Sequence, residues 1–164
     1  MSTRYFSTAL GIASVSWNEH GLTRFHLPEE NAKTPGGPAI LAPPEIEELI
    51  ARAKEHFGGK LHDFTGVALD WSQMTRFQEK VYLEAQAVKA GHTTTYGEIS
   101  HRLGLGRDGA RSVGVALGAN PWPLIVPCHR VVAADGKMTG FSAPGGIRTK
   151  TRLLALEGAE LLSE

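Results

Sequence analysis

The 164-residue sequence contains one cysteine, Cys128, and that scarcity is the first constraint on its chemistry. A single thiol cannot close an intramolecular disulfide and supplies too few ligands for a cysteine metal site. An unpaired thiol also points to the reducing cytosol, so a cytoplasmic protein is expected. No run of about 18 apolar residues is present, which excludes a membrane-spanning helix. The first eight residues, Met-Ser-Thr-Arg-Tyr-Phe-Ser-Thr, lack the apolar centre of a secretory signal. No histidine pair stands at ligand spacing beside a carboxylate, so no metal is expected. There is no internal repeat and no low-complexity segment. Net charge is missing as well, with 17 Lys and Arg against 17 Asp and Glu.

A hydrophobic content of 41% supports a packed core, and the length suits one domain or two small lobes. The balanced total hides an asymmetry. Residues 1–70 carry six basic and nine acidic side chains, whereas residues 71–164 carry eleven basic and eight acidic. Within 91–152 eight basic side chains face three acidic ones, with His92, His101 and His129 in addition. Such a distribution points to a polyanionic partner for the second part of the chain.

The first part reads as a small α+β lobe. Tyr5 to Trp17 is rich in β-formers, Asn18-Glu19-His20-Gly21 makes a turn, and Leu22 to Leu27 can pair back as a hairpin. The proline-rich stretch from Pro28 to Pro44 reads as a loop, after which Pro44 opens a helix that Gly58-Gly59 stops. Gly66 to Asp70 is a short apolar strand. The expected boundary divides the chain into residues 1–72 and 73–164. In the second part Thr75 and Gln78 form a capping box for a helix that runs to Gly91. Thr95 and Glu98 form another, for a short helix ending at Gly104. Asp108 caps a third helix, to about Ala119, and the last two have the layout of a helix-turn-helix. A final helix begins near Ile147 and carries Leu153, Leu154 and Leu156.

The third helix has almost no long side chains except Arg111. A major-groove reader needs Asn, Gln, Arg or Lys to reach base edges. Small residues instead suit either close approach to a minor groove, with one arginine projecting, or tight packing inside the protein. Asn120-Pro121-Trp122-Pro123 ends this helix, and an extended run, Leu124-Ile125-Val126, leads to Pro127-Cys128-His129-Arg130. Most free cysteines are inert core residues. An adjacent imidazole and guanidinium are, however, the groups that favour a thiolate. An imidazole acting as a base is commonly oriented by a carboxylate, for which Glu157 and Asp135 are the candidates.

Pro127-Cys128-His129-Arg130-Val131 resembles the active-site signature of the O6-alkylguanine-DNA alkyltransferases, or methylated-DNA–protein-cysteine methyltransferases. Phe77-Gln78 with Val81-Tyr82, Thr95-Tyr96-Gly97-Glu98-Ile99, Ala110-Arg111-Ser112-Val113-Gly114 and Asn120-Pro121 resemble successive motifs of the same family. Gly145-Gly146, Lys150 and Leu153 to Gly158 resemble its closing segment. The likeness is strong over roughly residues 75–158 and looser before them. It implies an α+β protein in which a ribonuclease H-like lobe precedes a winged helix-turn-helix-like domain. It further implies a monomer that repairs double-stranded DNA and acts once per molecule, without a cofactor. Cys128 would take the alkyl group from O6-alkylguanine, and from O4-alkylthymine, after the nucleotide is flipped out from the minor-groove side.

The resemblance also implies individual roles. His129 is the water-bridged base oriented by Glu157, Asn120 holds the turn, and Tyr96 donates a proton to the departing guanine. Thr95, Tyr96, Ala110, Ser112 and Gly114 contact DNA, and Arg111 fills the vacated stack. The carbonyls of Cys128 and Val131 and the amide of Ser142 read the guanine, with Phe141 at the substrate pocket. Trp122 and Pro123 suit an apolar wall against the alkyl group, and for Trp122 plain core packing is an equal reading. Two departures stand out: Phe141 replaces a tyrosine of many relatives, and residues 142–146 form a stretch about two residues longer than the pattern.

Three rival readings are weaker. A non-catalytic damage binder of the alkyltransferase-like kind lacks the cysteine. A cysteine hydrolase wants an oxyanion hole and a histidine remote in sequence. A helix-turn-helix regulator needs more base-reading side chains than residues 109–118 offer.

Overall fold

Glycine at position 11 decides how the chain begins to fold. Its φ of +124° suits a residue without a side chain, and a Cβ there would run into the Glu29 backbone. The turn at Thr8–Gly11 therefore breaks the expected Tyr5–Trp17 strand in two. Thr8 locks the turn, its Oγ1 donating to the Gly11 carbonyl (2.8 Å) and accepting from the Leu10 amide (3.1 Å). In the computed structural model, which describes residues 1–36, 40–106, 108–134 and 147–159, strands β1 (Ser2–Thr8), β2 (Gly11–Asn18) and β3 (Gly21–Glu29) form an antiparallel sheet in sequence order. Helix α1 (Pro44–Phe57) buries Ile46, Leu49, Ile50, Ala53 and Phe57. The expected strand at Gly66–Asp70 is reduced to one parallel bridge, Leu22 to Leu69. The architecture is α+β, and the chain divides into two compact units, Met1–Asp70 and Trp71–Glu164.

The second unit opens with a 3₁₀ turn at Trp71–Gln73, followed by α2 (Arg76–Gln86), whose Thr75–Gln78 capping box has both hydrogen bonds. This helix stops at Gln86 rather than running on to Gly91. The Val88 carbonyl is taken by Arg130, and Gly91 adopts a positive φ close to the Glu157 backbone. Next come β4 (Thr94–Thr95), α3 (Tyr96–Arg102) and α4 (Gly109–Gly118). Thr95 caps α3 by accepting from the Glu98 amide at 3.0 Å. The Glu98 carboxylate accepts from the Thr94 hydroxyl and from Arg102. Asp108 occupies the N-cap position of α4, but its side chain makes no capping hydrogen bond. Close packing sets the α3–α4 turn instead. Gly109 is buried, and a Cβ there would collide with the Ser100 hydroxyl and Leu105.

Two local expectations fail between α4 and the last helix, α5 (Ile147–Leu156). Leu124–Val126 is not a strand. Leu124 sits at φ 80°, rare for a leucine, and the Val126 amide folds back onto the Trp122 carbonyl at 2.8 Å. Cys128–Arg130 is a 3₁₀ turn rather than extended chain. Among the described residues of this stretch the strand is Val131–Val132 (β5), pairing in parallel with β4 so that Thr94 faces Val131 and Thr95 faces Val132. No helix among the described residues is long and apolar enough to cross a membrane.

Candidate active site

The turn that carries the cysteine is built by Asn120. Its Oδ1 accepts from the Trp122 amide (2.9 Å) and its Nδ2 donates to the Val126 carbonyl (2.9 Å), closing the loop that follows α4. The Cys128 amide then donates to the Val126 carbonyl (2.7 Å), and the Arg130 amide to the Pro127 carbonyl (2.9 Å). A buried leucine at positive φ inside this loop is the kind of local strain that surrounding structure must impose. The result is a thiol on a tight turn, 8% exposed.

Burial raises the Cys128 pKa above its usual thiol value, and a hydrogen bond from the Asn120 side chain and the charge of Lys150 oppose that rise. The sequence suggests that His129 and Arg130 favour the thiolate. In the structure both are directed to Glu157. Its Oε1 pairs with His129 Nε2 (3.0 Å) and accepts from Arg130 Nε (2.8 Å), while its Oε2 accepts from Arg130 Nη2 (2.7 Å). Arg130 Nη1 also donates to the Val88 carbonyl (2.8 Å), so the guanidinium clamps Glu157 and ties it to the end of α2. All three side chains are buried. The bidentate guanidinium fixes the buried carboxylate, which in turn orients the imidazole paired with it.

Lys150 is the residue whose role sequence reasoning missed. It is 1% exposed, its ammonium donates to the Val131 carbonyl (2.7 Å), and it approaches the Tyr96 hydroxyl at 3.4 Å. A signal was present. Lys150, Leu153, Leu154 and Glu157 follow the i, i+3, i+4, i+7 spacing of a core-facing stripe, on which two charged residues need buried partners. Tyr82 has no role legible in the sequence beyond its motif. It is fully buried and its hydroxyl donates to the Ala116 carbonyl in the last turn of α4 (2.6 Å). Burial, with a smaller effect of the nearby Cys128 charge, pushes its pKa up to about 12.

Of the residues expected at the site, Cys128, His129, Glu157 and Asn120 converge directly. Tyr96 and Val131 join them through Lys150 and the pairing of β4 with β5. Helix α4 has one packed face and one open face, so internal packing accounts for only part of its small side chains. Val113, Ala116 and Leu117 are buried, whereas Arg111, Ser112, Val115 and Gly118 are exposed, with Ala110 and Gly114 half-buried at the margins. The Tyr96 ring lies at ordinary contact distance, 3.8 Å, from where a Gly114 Cβ would stand. Trp122 is completely buried against Trp71 and Tyr82, with ring centroids at 5.1 and 6.2 Å, and so packs in the core; Pro123 is half-buried. Phe141, Ser142, Asp135 and the stretch 142–146 lie outside the described residues. No group of three or more His, Cys, Asp or Glu that could hold a metal occurs among the described residues.

Residues 76–159 match the family described as 6-O-methylguanine DNA methyltransferase, DNA binding domain. The chain is 37% identical over 150 residues to a methylated-DNA–protein-cysteine methyltransferase of Mycobacterium tuberculosis, covering 92% of this chain and 84% of that protein. It is 38% identical over 121 residues to a Thermus thermophilus protein named a DNA base-flipping protein, covering 71% and 79%. The crystal structure of Mycobacterium tuberculosis OGT in complex with DNA superposes with a TM-score of 0.77 at 34% identity, covering 95% of this chain and 92% of that one.

Proposed function

The chain belongs to the 6-O-methylguanine DNA methyltransferase family, and from that premise we propose that it repairs O6-alkylguanine in double-stranded DNA by moving the alkyl group onto its own Cys128. The carrying observation is a buried Cys128, with the Asn120 side chain hydrogen-bonded to it and the charge of Lys150 acting on it, directly preceding His129 and Arg130 of the buried cluster with Glu157. The sulfur attacks the alkyl carbon in line. A carbon–sulfur bond forms, the carbon–O6 bond breaks, and its electron pair stays on the guanine oxygen. Tyr96 supplies the proton that makes guanine a competent leaving group, and Lys150 beside its hydroxyl stabilises the tyrosinate that results. His129 takes the thiol proton through a bridging water, with Glu157 supporting the imidazolium.

The same reading assigns the exposed face of α4 to the minor groove. Thr95, Tyr96, Ala110, Ser112 and Gly114 contact the duplex, and Arg111 fills the space left by the flipped nucleotide. The Val131 carbonyl, already holding Lys150, has a second lone pair for the guanine amino group. The Cys128 carbonyl and the Ser142 amide complete base recognition, and Phe141 and Pro123 border the alkyl group, with Trp122 packed in the core rather than against it. O4-alkylthymine presents a comparable alkyl–oxygen bond and is a second substrate. The thioether is stable and nothing in the reaction regenerates the thiol, so each molecule acts once, as a monomer and without a cofactor.

The likeness to a protein named for base flipping supports one alternative, binding to damaged DNA without transfer. Intact-mass measurement after incubation with a duplex containing O6-methylguanine separates the two. Transfer adds about 14 Da, one methylene, located on Cys128. Duplex binding with no gain in mass leaves only the binding reading.

A further inference from the structure

Val115 is 70% exposed in the middle of α4. A β-branched residue is a modest helix former, and here its side chain covers almost nothing in the protein itself. Its position on the helix is specific. At 100° per residue, Arg111, Val115 and Gly118 fall on the centre line of the exposed face, opposite the buried Val113, Ala116 and Leu117. The line tapers from one long cation, through one branched apolar side chain, to bare backbone at Gly118, where a Cβ would meet nothing within 4 Å.

Resting on the minor-groove reading of this face, we propose that Val115 packs against the deoxyribose edge beside the flipped nucleotide and makes the protein reject ribose there. A helix lying along the groove places Val115 about 6 Å beyond Arg111, just under two base steps. The groove wall at that point is sugar C–H surface, which an isopropyl group buries well. A ribose would press its 2′-hydroxyl against a side chain that neither donates nor accepts a hydrogen bond, and a buried hydroxyl without a partner is unfavourable. Arg111 does not discriminate in this way, because a guanidinium accommodates either sugar.

Val115→Thr tests this with little change of shape. Single-turnover alkyl transfer is measured on two duplexes carrying O6-methylguanine, one all-deoxy and one with ribonucleotides flanking the lesion. The wild-type protein should react about tenfold more slowly on the ribonucleotide duplex. In Val115→Thr, whose hydroxyl can pair with the 2′-hydroxyl, the ratio should fall to about threefold or less. Free O6-benzylguanine, which has no sugar, should react equally with both proteins. An unchanged ratio in Val115→Thr, or no discrimination by the wild type, overturns the proposal. Arg111→Ala is the control for the underlying reading: wild-type rates on duplex in that variant would remove α4 from the groove altogether, whereas loss on duplex alone leaves the Val115 test standing.

Discussion

At the scale of single residues, the reactivity of Cys128 depends on groups remote in sequence. His129 and Arg130 follow it directly but are bound to Glu157, while Asn120 and Lys150 act on the sulfur itself. Because burial outweighs both, the thiol pKa lies above its ordinary value of 9.0. Labelling of Cys128 by iodoacetamide, followed by mass, should therefore still be rising with pH at that ordinary value. Lys150→Met should slow labelling and move its profile to still higher pH. A plateau near neutrality in the wild type, or an unmoved profile in the variant, would contradict this account. The sign for stability follows from the same direction of shift. A raised thiol contributes fully below the ordinary value and its contribution is lost as pH rises through the shifted one; Tyr82, raised from 10.0 to about 12, acts likewise further up the scale.

At the scale of elements, two glycines of α4 have opposite expected behaviour. Gly109 is pressed against Ser100 and Leu105, so Gly109→Ala should destabilise the fold by about 1–3 kcal/mol through overpacking. Gly114 has room for a methyl at van der Waals distance from Tyr96, so Gly114→Ala should stabilise by about 0.5–1 kcal/mol through helix propensity. The same methyl stands on the margin of the exposed face and should slow transfer from duplex while leaving reaction with free O6-benzylguanine intact. Chemical denaturation and the two rates check this, and an unchanged duplex rate would mean that the backbone at 114 does not approach DNA. How legible these elements are in sequence follows the same physics. The capping box of Thr75, the proline start of α1 and the glycine after α3 are local chemistry, and local chemistry is readable. The 3₁₀ turn at Cys128 and the positive φ of Leu124 arise from the Asn120 side chain, the Val126 amide and the β4–β5 pairing. The first two are contacts within residues 120–126 that follow neither helix nor strand periodicity, and the third joins segments far apart in sequence, which no short window contains. Lys150 and Glu157 were half legible: their place on the stripe of α5 marks burial, but their partners come from other elements.

At the scale of the whole molecule, the charge asymmetry becomes a prediction about salt. Of the eight basic residues in 91–152, Arg130 and Lys150 are buried and committed to Glu157 and Val131. Arg102 pairs with Glu84 and Glu98, and the proposed reading sends Arg111 into the base stack rather than to a phosphate. Arg152 also has a partner within the protein, and the basic residues that remain in the segment's sequence are Arg107, Lys137 and Arg148. Each neutralised phosphate releases counterions worth about 0.9 in the slope of log K against log salt, so three give a slope of about −2.7. The measurement is fluorescence anisotropy of a labelled duplex with Cys128→Ser, which binds without transferring, across a range of sodium chloride concentrations. A slope much steeper than about −5 would require cations outside this segment, with Arg76, Lys80 and Lys89 next in sequence. A slope near −1 would mean that groove contacts dominate and that the basic segment is largely a solvated face.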